Sequence, residues 1–382
     1  MNSFPLGFTD QSKSFSDLHL PIQIDKVPLS ALEIFHTDHE TKAHPNPEVL
    51  LHKDSASGSI PGLYFIRDDL LPFGFGTKWR KAQSIVLDLQ KNGIHQVLVW
   101  GAVHGNYLAS FTYILRKAGI RVDTIAYTRD PKLRSYNERL VRGHSHTFVC
   151  YANRNEAYAV WLEKEKEYSG LSLPEFGIHA SQNFGLRSFW QELEKKIIQS
   201  LNVSLSQKDP NGQRNQRTNA ILRMEIGSGV TFLSALDYFY ETSILVQGVM
   251  VGEKKETWIS KREGLQKQLG LRSIAIKEEQ ILEIEREDKS QVEPEKNKAK
   301  NLVSFGKQTK SQKQWIYDFY RNTDILLEPV YSGVTMKPLL REIYEMQLSP
   351  YFAMGKFPLP IFYLHQGGQI QHLDLILEKE SK

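Results

Sequence analysis

The sequence predicts an α/β protein built on mostly parallel sheets, and three observations carry that expectation. Short β-branched runs alternate with stretches of helical spacing at the interval of βαβ units. The loops that follow the strands are rich in glycine. The 382 residues suffice for two domains at roughly 100–200 residues each. Hydrophobic residues make up 40% and charged residues 24%, ordinary globular proportions that exclude disorder of the whole chain. Lys and Arg number 48 against 44 Asp and Glu, a formal charge of only +4. So thin a surplus predicts neither a nucleic-acid nor a membrane partner. No apolar run approaches the roughly 18 residues of a membrane helix, and Met-Asn-Ser-Phe-Pro-Leu-Gly lacks the order of a signal peptide. A cytoplasmic location is expected. Cys150 is the single cysteine, which excludes an internal disulfide and any Cys-based metal cluster.

The elements follow in order. The first ~60 residues read as loop, by their punctuation with proline and histidine. Leu63–Ile66 is a short strand, and a glycine-bearing loop, Gly74-Phe75-Gly76-Thr77, leads into Lys78. Ala82, Ile85, Val86 and Leu89 then recur at helical spacing, with Gly93 where the helix stops. Gln96–Trp100 is a strand, Leu108, Phe111, Thr112 and Leu115 form a helical face ending at Gly119, and Val122–Tyr127 is the next strand. Two helical faces occupy Glu156–Ser204. Ala220–Ile226 returns to strand, a helix runs through Phe232, Leu236 and Phe239, and Ile244–Val251 is a further buried strand. The charge density of 253–300 reads as a solvated helical insertion with a mobile segment near Glu293–Lys300. Ile325–Val330 reads as strand, Leu339–Tyr344 as helix, and Ile361–Leu364 as a strand running into His365-Gln366-Gly367-Gly368.

Strand-to-helix turns at the carboxyl edge of a parallel sheet are where such folds bind ligands. Three glycine loops occupy that position, at 101–106, 227–231 and 331–333. The middle one, Gly227-Ser228-Gly229-Val230-Thr231, would offer backbone N–H groups at a helix N-terminus, which suits a phosphate. The same turn could simply close a tight loop. Lys78 sits at a helix start among Phe73, Phe75 and Trp79, beside Arg80 and Lys81. Desolvation or neighbouring cations lower a lysine pKa and make the amine able to form a Schiff base. Taken alone, it could equally be a surface lysine. His36, His39 and His44 lie in a polar stretch and are read as solvated, and Cys150 as a small buried residue.

The order of Gly-Thr-Lys-Trp-Arg-Lys (76–81), Gly-Ala-Val-His-Gly-Asn (101–106), Gly-Ser-Gly-Val-Thr (227–231), Glu-Pro-Val-Tyr-Ser-Gly (328–333) and His-Gln-Gly-Gly (365–368) resembles a known family. It is the 1-aminocyclopropane-1-carboxylate deaminase / D-cysteine desulfhydrase group of fold-type-II pyridoxal-phosphate enzymes, and the likeness runs from about Leu63 to Ile370. The resemblance implies a two-domain tryptophan synthase β-like fold with twisted parallel sheets wrapped by helices. Its large domain would hold 1–81 and 201–382, its small α/β domain 82–200, with the cofactor between them and the chain a homodimer. It implies pyridoxal 5'-phosphate as cofactor and a small amino acid as substrate. Lys78 would hold the cofactor aldehyde and shuttle protons, Lys81 would lie near the phosphate, and Asn106 would bond the ring phenolate oxygen. Residues Gly227, Ser228, Gly229, Val230 and Thr231 would hold the phosphate. Ser332 would face the ring nitrogen, and Tyr331 would stand beside the substrate. A hydroxyl at position 332 leans toward D-cysteine-like elimination, giving a 2-keto acid and ammonia, and away from ring-opening deamination. The substrate side departs from the family. His104-Gly105 replaces a glutamine and a serine, Thr77 an asparagine, Phe305 a tyrosine, Val334 a lysine and Gln366 a threonine, while His179-Ala180-Ser181 stands where a glutamate and two glycines are usual. A pyridoxal-phosphate binder without turnover is the alternative that these departures favour.

Overall fold

The computed structural model describes residues 20–28, 30–32, 59–202, 219–284, 309–348 and 359–374. In chain order the elements begin with β1 (Ile24–Pro28), β2 (Ser59–Arg67), α1 (Lys78–Lys91), β3 (Gln96–Ala102), α2 (Asn106–Lys117), β4 (Arg121–Tyr127) and α3 (Tyr136–His144). There follow β5 (Thr147–Tyr151), α4 (Arg154–Glu165), β6 (Leu171–Leu173), α5 (Gln182–Asn202), β7 (Ala220–Ile226), α6 (Val230–Phe239) and β8 (Ile244–Met250). The last are α7 (Lys255–Gln268), β9 (Ile281–Glu283), α8 (Lys310–Thr323), α9 (Ser332–Leu348) and β10 (Ile361–His365). No described helix is long and apolar enough to cross a membrane.

The chain divides into two units. One holds, of the described residues, 20–21, Trp79–Leu133 and Asn137–Gly185. Its four strands lie in the order β5-β4-β3-β6, all parallel. The centre of β3 is buried throughout, which explains its unbroken apolar run: a parallel strand covered on both faces has no polar side to show. Leu98, Trp100, Ile125, Ala157 and Trp161 form a core against α4. Asn153 caps that helix by accepting the Glu156 N–H at 2.8 Å.

The other unit holds the remaining described residues, from Ile22 to Lys78, Arg134–Tyr136 and from Leu186 onward. Its six strands lie in the order β1-β2-β10-β7-β8-β9. Only β1 runs antiparallel to its neighbour. Every residue of β10 is buried, as its place between β2 and β7 requires. Phe65, Tyr363, Trp315, Phe319, Met336 and Leu340 make the core on one face of this sheet.

Two stretches differ from the sequence reading. Ile325–Val330 is not a strand: it runs without regular structure and closes in a turn at Pro329 and Val330. Ile325 and Leu327 are buried as expected, yet the carbonyls of Leu326 and Leu327 meet side chains. Leu326 O pairs with His365 Nε2 at 3.0 Å and Gln369 Nε2 at 3.1 Å, and Leu327 O with His372 Nε2 at 2.8 Å. An apolar run fixed its burial, but among the described residues no strand pairs with its backbone. The charged stretch from 253 is woven into the sheet as far as residue 284, supplying α7 and the edge strand β9. Its anchor is Trp258, buried against Phe232 with ring centroids 5.8 Å apart. Glu293–Lys300 lies outside the described residues.

Candidate functional site

In the second unit, the chain leaves β2 through Asp68 and the turn Pro72–Gly74, then enters α1 at Lys78. Phe73 is held at a φ of 58°, a left-handed conformation that a phenylalanine rarely adopts. What holds this loop is backbone packed on backbone. Gly76 has φ +63°, and a Cβ there would stand 1.8 Å from the Gln366 carbonyl oxygen; a Cβ on Gly367 would stand 2.4 Å from Gly76 Cα. Thr77 N–H donates to Gln366 O at 3.1 Å and Gly368 N–H to Gly74 O at 2.6 Å. The Thr77 hydroxyl donates to the buried Asp68 carboxylate at 3.0 Å. Lys78 is therefore presented by a loop that is clamped to the carboxyl end of β10. Burial lowers its ammonium pKa, against the opposing pull of Glu328 and Glu225.

Those two carboxylates are the main electrostatic feature of the site. Glu328 is 1% exposed. Its carboxylate accepts the N–H groups of Val330 (2.9 Å), Tyr331 and Ser332 (2.7 Å), and so caps the start of α9. Burial nevertheless pushes its pKa up to about 7. Glu225, 2% exposed, lies near the end of β7. It accepts from the Tyr363 hydroxyl, from Thr335 Oγ1 at 3.4 Å and from Gln366 Nε2 at 2.9 Å. Burial raises the pKa of the Tyr331 and Tyr363 hydroxyls, and the nearby glutamates add to it.

The turn after β7 is Gly227-Ser228-Gly229, and Val230 and Thr231 open α6. The first N–H groups of that helix have no intrahelical acceptor, so the turn carries the donors and positive potential that an anion needs. Gly229 has φ +88°, and a Cβ would fall 2.6 Å from Trp258 Cζ2. Packing on Trp258 thus requires this glycine, whatever the turn binds. A Cβ on Gly227 would come 3.1 Å from the Tyr331 ring, which brings the turn and Tyr331 together. Ser332 is buried at the start of α9, and its Oγ accepts the Glu328 N–H at 2.9 Å. That hydroxyl is used by the turn itself.

Of the remaining residues singled out in the sequence, Lys81, His104, Gly105 and Asn106 belong to the first unit. Lys81 is half-buried on α1. His104 pairs with Thr128 Oγ1 at 3.2 Å, and Gly105 is the N-cap of α2. Asn106 is buried, and its Oδ1 accepts from Asn137 Nδ2 at 2.9 Å. Asn137 also donates to the His104 carbonyl at 3.0 Å. Asn106 Oδ1 being occupied, its own Nδ2 is the group left to donate to an acceptor. Cys150 lies in β5 half-buried, more exposed than its sequence suggests. Phe305, His36, His39 and His44 lie outside the described residues.

Sequence reasoning passed over Glu225, Glu328 and Asn137 as functional groups. A lone acid inside the buried strand Ala-Ile-Leu-Arg-Met-Glu-Ile was the available signal, because a buried charge must have partners. A cavity of about 1270 Å³, lined by Arg223, Trp315, Lys337 and Glu342 among others, shares Thr335 and Tyr363 with the cluster around Glu225 and does not include Lys78.

No family model and no curated protein matches the sequence. Solved structures do. An ACC deaminase homologue is similar with a TM-score of 0.61 at 18% identity, covering 94% of each chain. A hydrogen sulfide-producing enzyme from Fusobacterium nucleatum has a TM-score of 0.53 at 13% identity, covering 96% of this chain and 98% of that one. A pyridoxal 5'-phosphate-dependent aspartate racemase has a TM-score of 0.50 at 12% identity, covering 80% of this chain and 84% of its own. At these identities the likeness concerns the fold. That fold is the fold-type-II arrangement of parallel sheets wrapped by helices.

Proposed function

We propose that the chain is a pyridoxal 5'-phosphate-dependent lyase or deaminase acting on a small amino acid, with D-cysteine-like substrates preferred. The carrying observation is Lys78: a desolvated amine on a clamped loop beside two buried carboxylates. A lysine in that state spends more of its time as the neutral nucleophile that an aldehyde requires.

The residues present fit the cofactor. Lys78 would hold its aldehyde, and the N–H groups of the 227–231 turn its phosphate. When bound, the cofactor supplies the electron sink that stabilises charge on the substrate α-carbon. The protein's own part is positional. The clamp of Gly76 on Gln366 and Gly367 fixes the backbone that carries Lys78, and a lysine whose pKa burial lowers gives up its proton more readily than a solvated one. Tyr331, packed over Gly227, is the second group placed to touch a substrate. Net conversion of D-cysteine and water to a 2-keto acid, sulfide and ammonia is the reaction proposed. Similarity to a hydrogen sulfide-producing enzyme supports it, as does the hydroxyl of Ser332 where ring opening would favour a carboxylate. Gly105, which brings no hydroxyl, favours the second reading, a binder without turnover.

The test begins with purified protein incubated with pyridoxal 5'-phosphate. A visible absorbance band abolished by borohydride, with the adduct mapped to Lys78 and absent in Lys78→Ala, is the expected result; an adduct on another lysine refutes the assignment. Sulfide, ammonia and 2-keto acid are then assayed from D-cysteine, L-cysteine and 1-aminocyclopropane-1-carboxylate. Faster ring opening than elimination would overturn the substrate preference, and no turnover of any would favour the binder.

A further inference from the structure

The mechanism above leaves one buried carboxylate without a task. Glu328 is consumed by the α9 N-terminus, where three backbone N–H groups occupy it. Glu225 caps nothing. Around it, Tyr363, Thr335 and Gln366 all point donors at the carboxylate, and it donates to none of them. Three groups converge on a carboxyl that is 2% exposed, and a carboxylate this deeply buried can carry its charge only beside a compensating one.

Gln366 shows where that charge is. Its side-chain Nε2 grips Glu225 twice, at the backbone carbonyl (2.8 Å) and at Oε2 (2.9 Å). Its own carbonyl accepts the N–H of Thr77, the residue before Lys78. One residue therefore ties the carboxylate to the backbone that presents the lysine. We propose that Glu225, held by Gln366, Tyr363 and Thr335, is the counter-charge and positioning residue of Lys78. The other titratable groups near the pair are Glu328, Tyr331 and Tyr363, joined by His365, which lies on the same face of β10 as Tyr363. Burial keeps Tyr331 and Tyr363 neutral, and Glu328, which also favours the ammonium form of Lys78, has its oxygens taken up by the three N–H groups at the start of α9. Lys78 is thus charge-matched within its own unit.

The first test needs no cofactor, and so stands apart from the proposed function. Urea unfolding is measured for the wild type, Lys78→Met, Glu225→Gln and the double variant, with Lys78→Met and Gln266→Leu, a buried polar residue of α7 outside this cluster, as a control cycle. Groups that interact give non-additive effects, and groups that do not interact add. The expected coupling between positions 78 and 225 is about tenfold or more in the unfolding equilibrium constant, against about twofold or less in the control. Additive effects in the first cycle overturn the proposal. Should Glu225→Gln fold only when Lys78→Met accompanies it, that rescue is itself the coupling. Should neither fold, Gln366→Leu with and without Lys78→Met takes their place under the same criterion.

The second test rests on the reading of Lys78 as the cofactor lysine. In protein loaded with pyridoxal 5'-phosphate, the visible band is titrated with pH. A nearby negative charge favours a protonated nitrogen, so Glu225→Gln should lower the midpoint by about one pH unit. An unchanged midpoint overturns the proposal. A wild type that takes up no pyridoxal 5'-phosphate would instead refute the proposed function, and the unfolding cycle would still decide the role of Glu225.

Discussion

At Glu328 two forces oppose each other. Burial favours the neutral acid, while three backbone N–H groups favour the anion. Burial prevails, and the pKa stands at about 7 instead of 4.5. The sign for stability follows from proton counting. Between those two values the folded protein binds a proton that the unfolded chain has released, so the contribution of this residue is full below about 4.5 and lost as pH rises through 7. A shift of this size corresponds to about 3 kcal/mol. Glu328→Gln should flatten that decline, and urea unfolding of both proteins at several pH values across the interval measures it. Parallel curves for variant and wild type would show that the carboxyl titrates normally.

Glycines with nearly the same backbone angle do different work in different elements. Gly93, just past the end of α1, has φ +64° with nothing within 4 Å of a Cβ, whereas Gly76, before α1, has φ +63° with the Gln366 carbonyl in the way. Gly93→Ala should cost about 1–2 kcal/mol, the strain of the left-handed region alone. Gly76→Ala should cost about 3 kcal/mol or more, because backbone must move. Thermal unfolding of the two variants separates close approach from strain, and equal losses would mean that the clamp on β10 is slack. Much of this element level was readable in advance. β7 was placed to the residue by its apolar, β-branched run, and β3, β4, β8 and β10 were placed within a residue or two at either end. What failed was pairing. Ile325–Val330 has a strand's composition, and only the side chains of His365, Gln369 and His372, brought from 40 or so residues away, reveal that its carbonyls are spoken for. The candidate site divides in the same way. Lys78 and the 227–231 turn announce themselves through local context, but Glu225 and Asn137 acquire meaning only from Gln366 and Asn106, partners that no spacing rule connects to them.

At the scale of the whole molecule, the order β1-β2-β10-β7-β8-β9 has a consequence for biosynthesis. The last of the described strands to emerge from the ribosome is an interior one. Until Ile361–His365 is available, β2 and β7 share no neighbour, because each pairs directly with β10. A nascent chain lacking it holds two half-sheets, β1-β2 and β7-β8-β9, each with an apolar edge exposed to unwanted pairing. At roughly 5–20 residues per second, that exposure lasts for many seconds in every round of synthesis. A chain halted before residue 361 should therefore engage chaperones and aggregate, whereas one halted after 374 should not; ribosome-stalled chains of the two lengths, compared by limited proteolysis, would show it. The four-stranded sheet escapes this delay. Its strands all lie between residues 96 and 173, so that sheet can close while the rest is still being made, and the other sheet waits for its keystone.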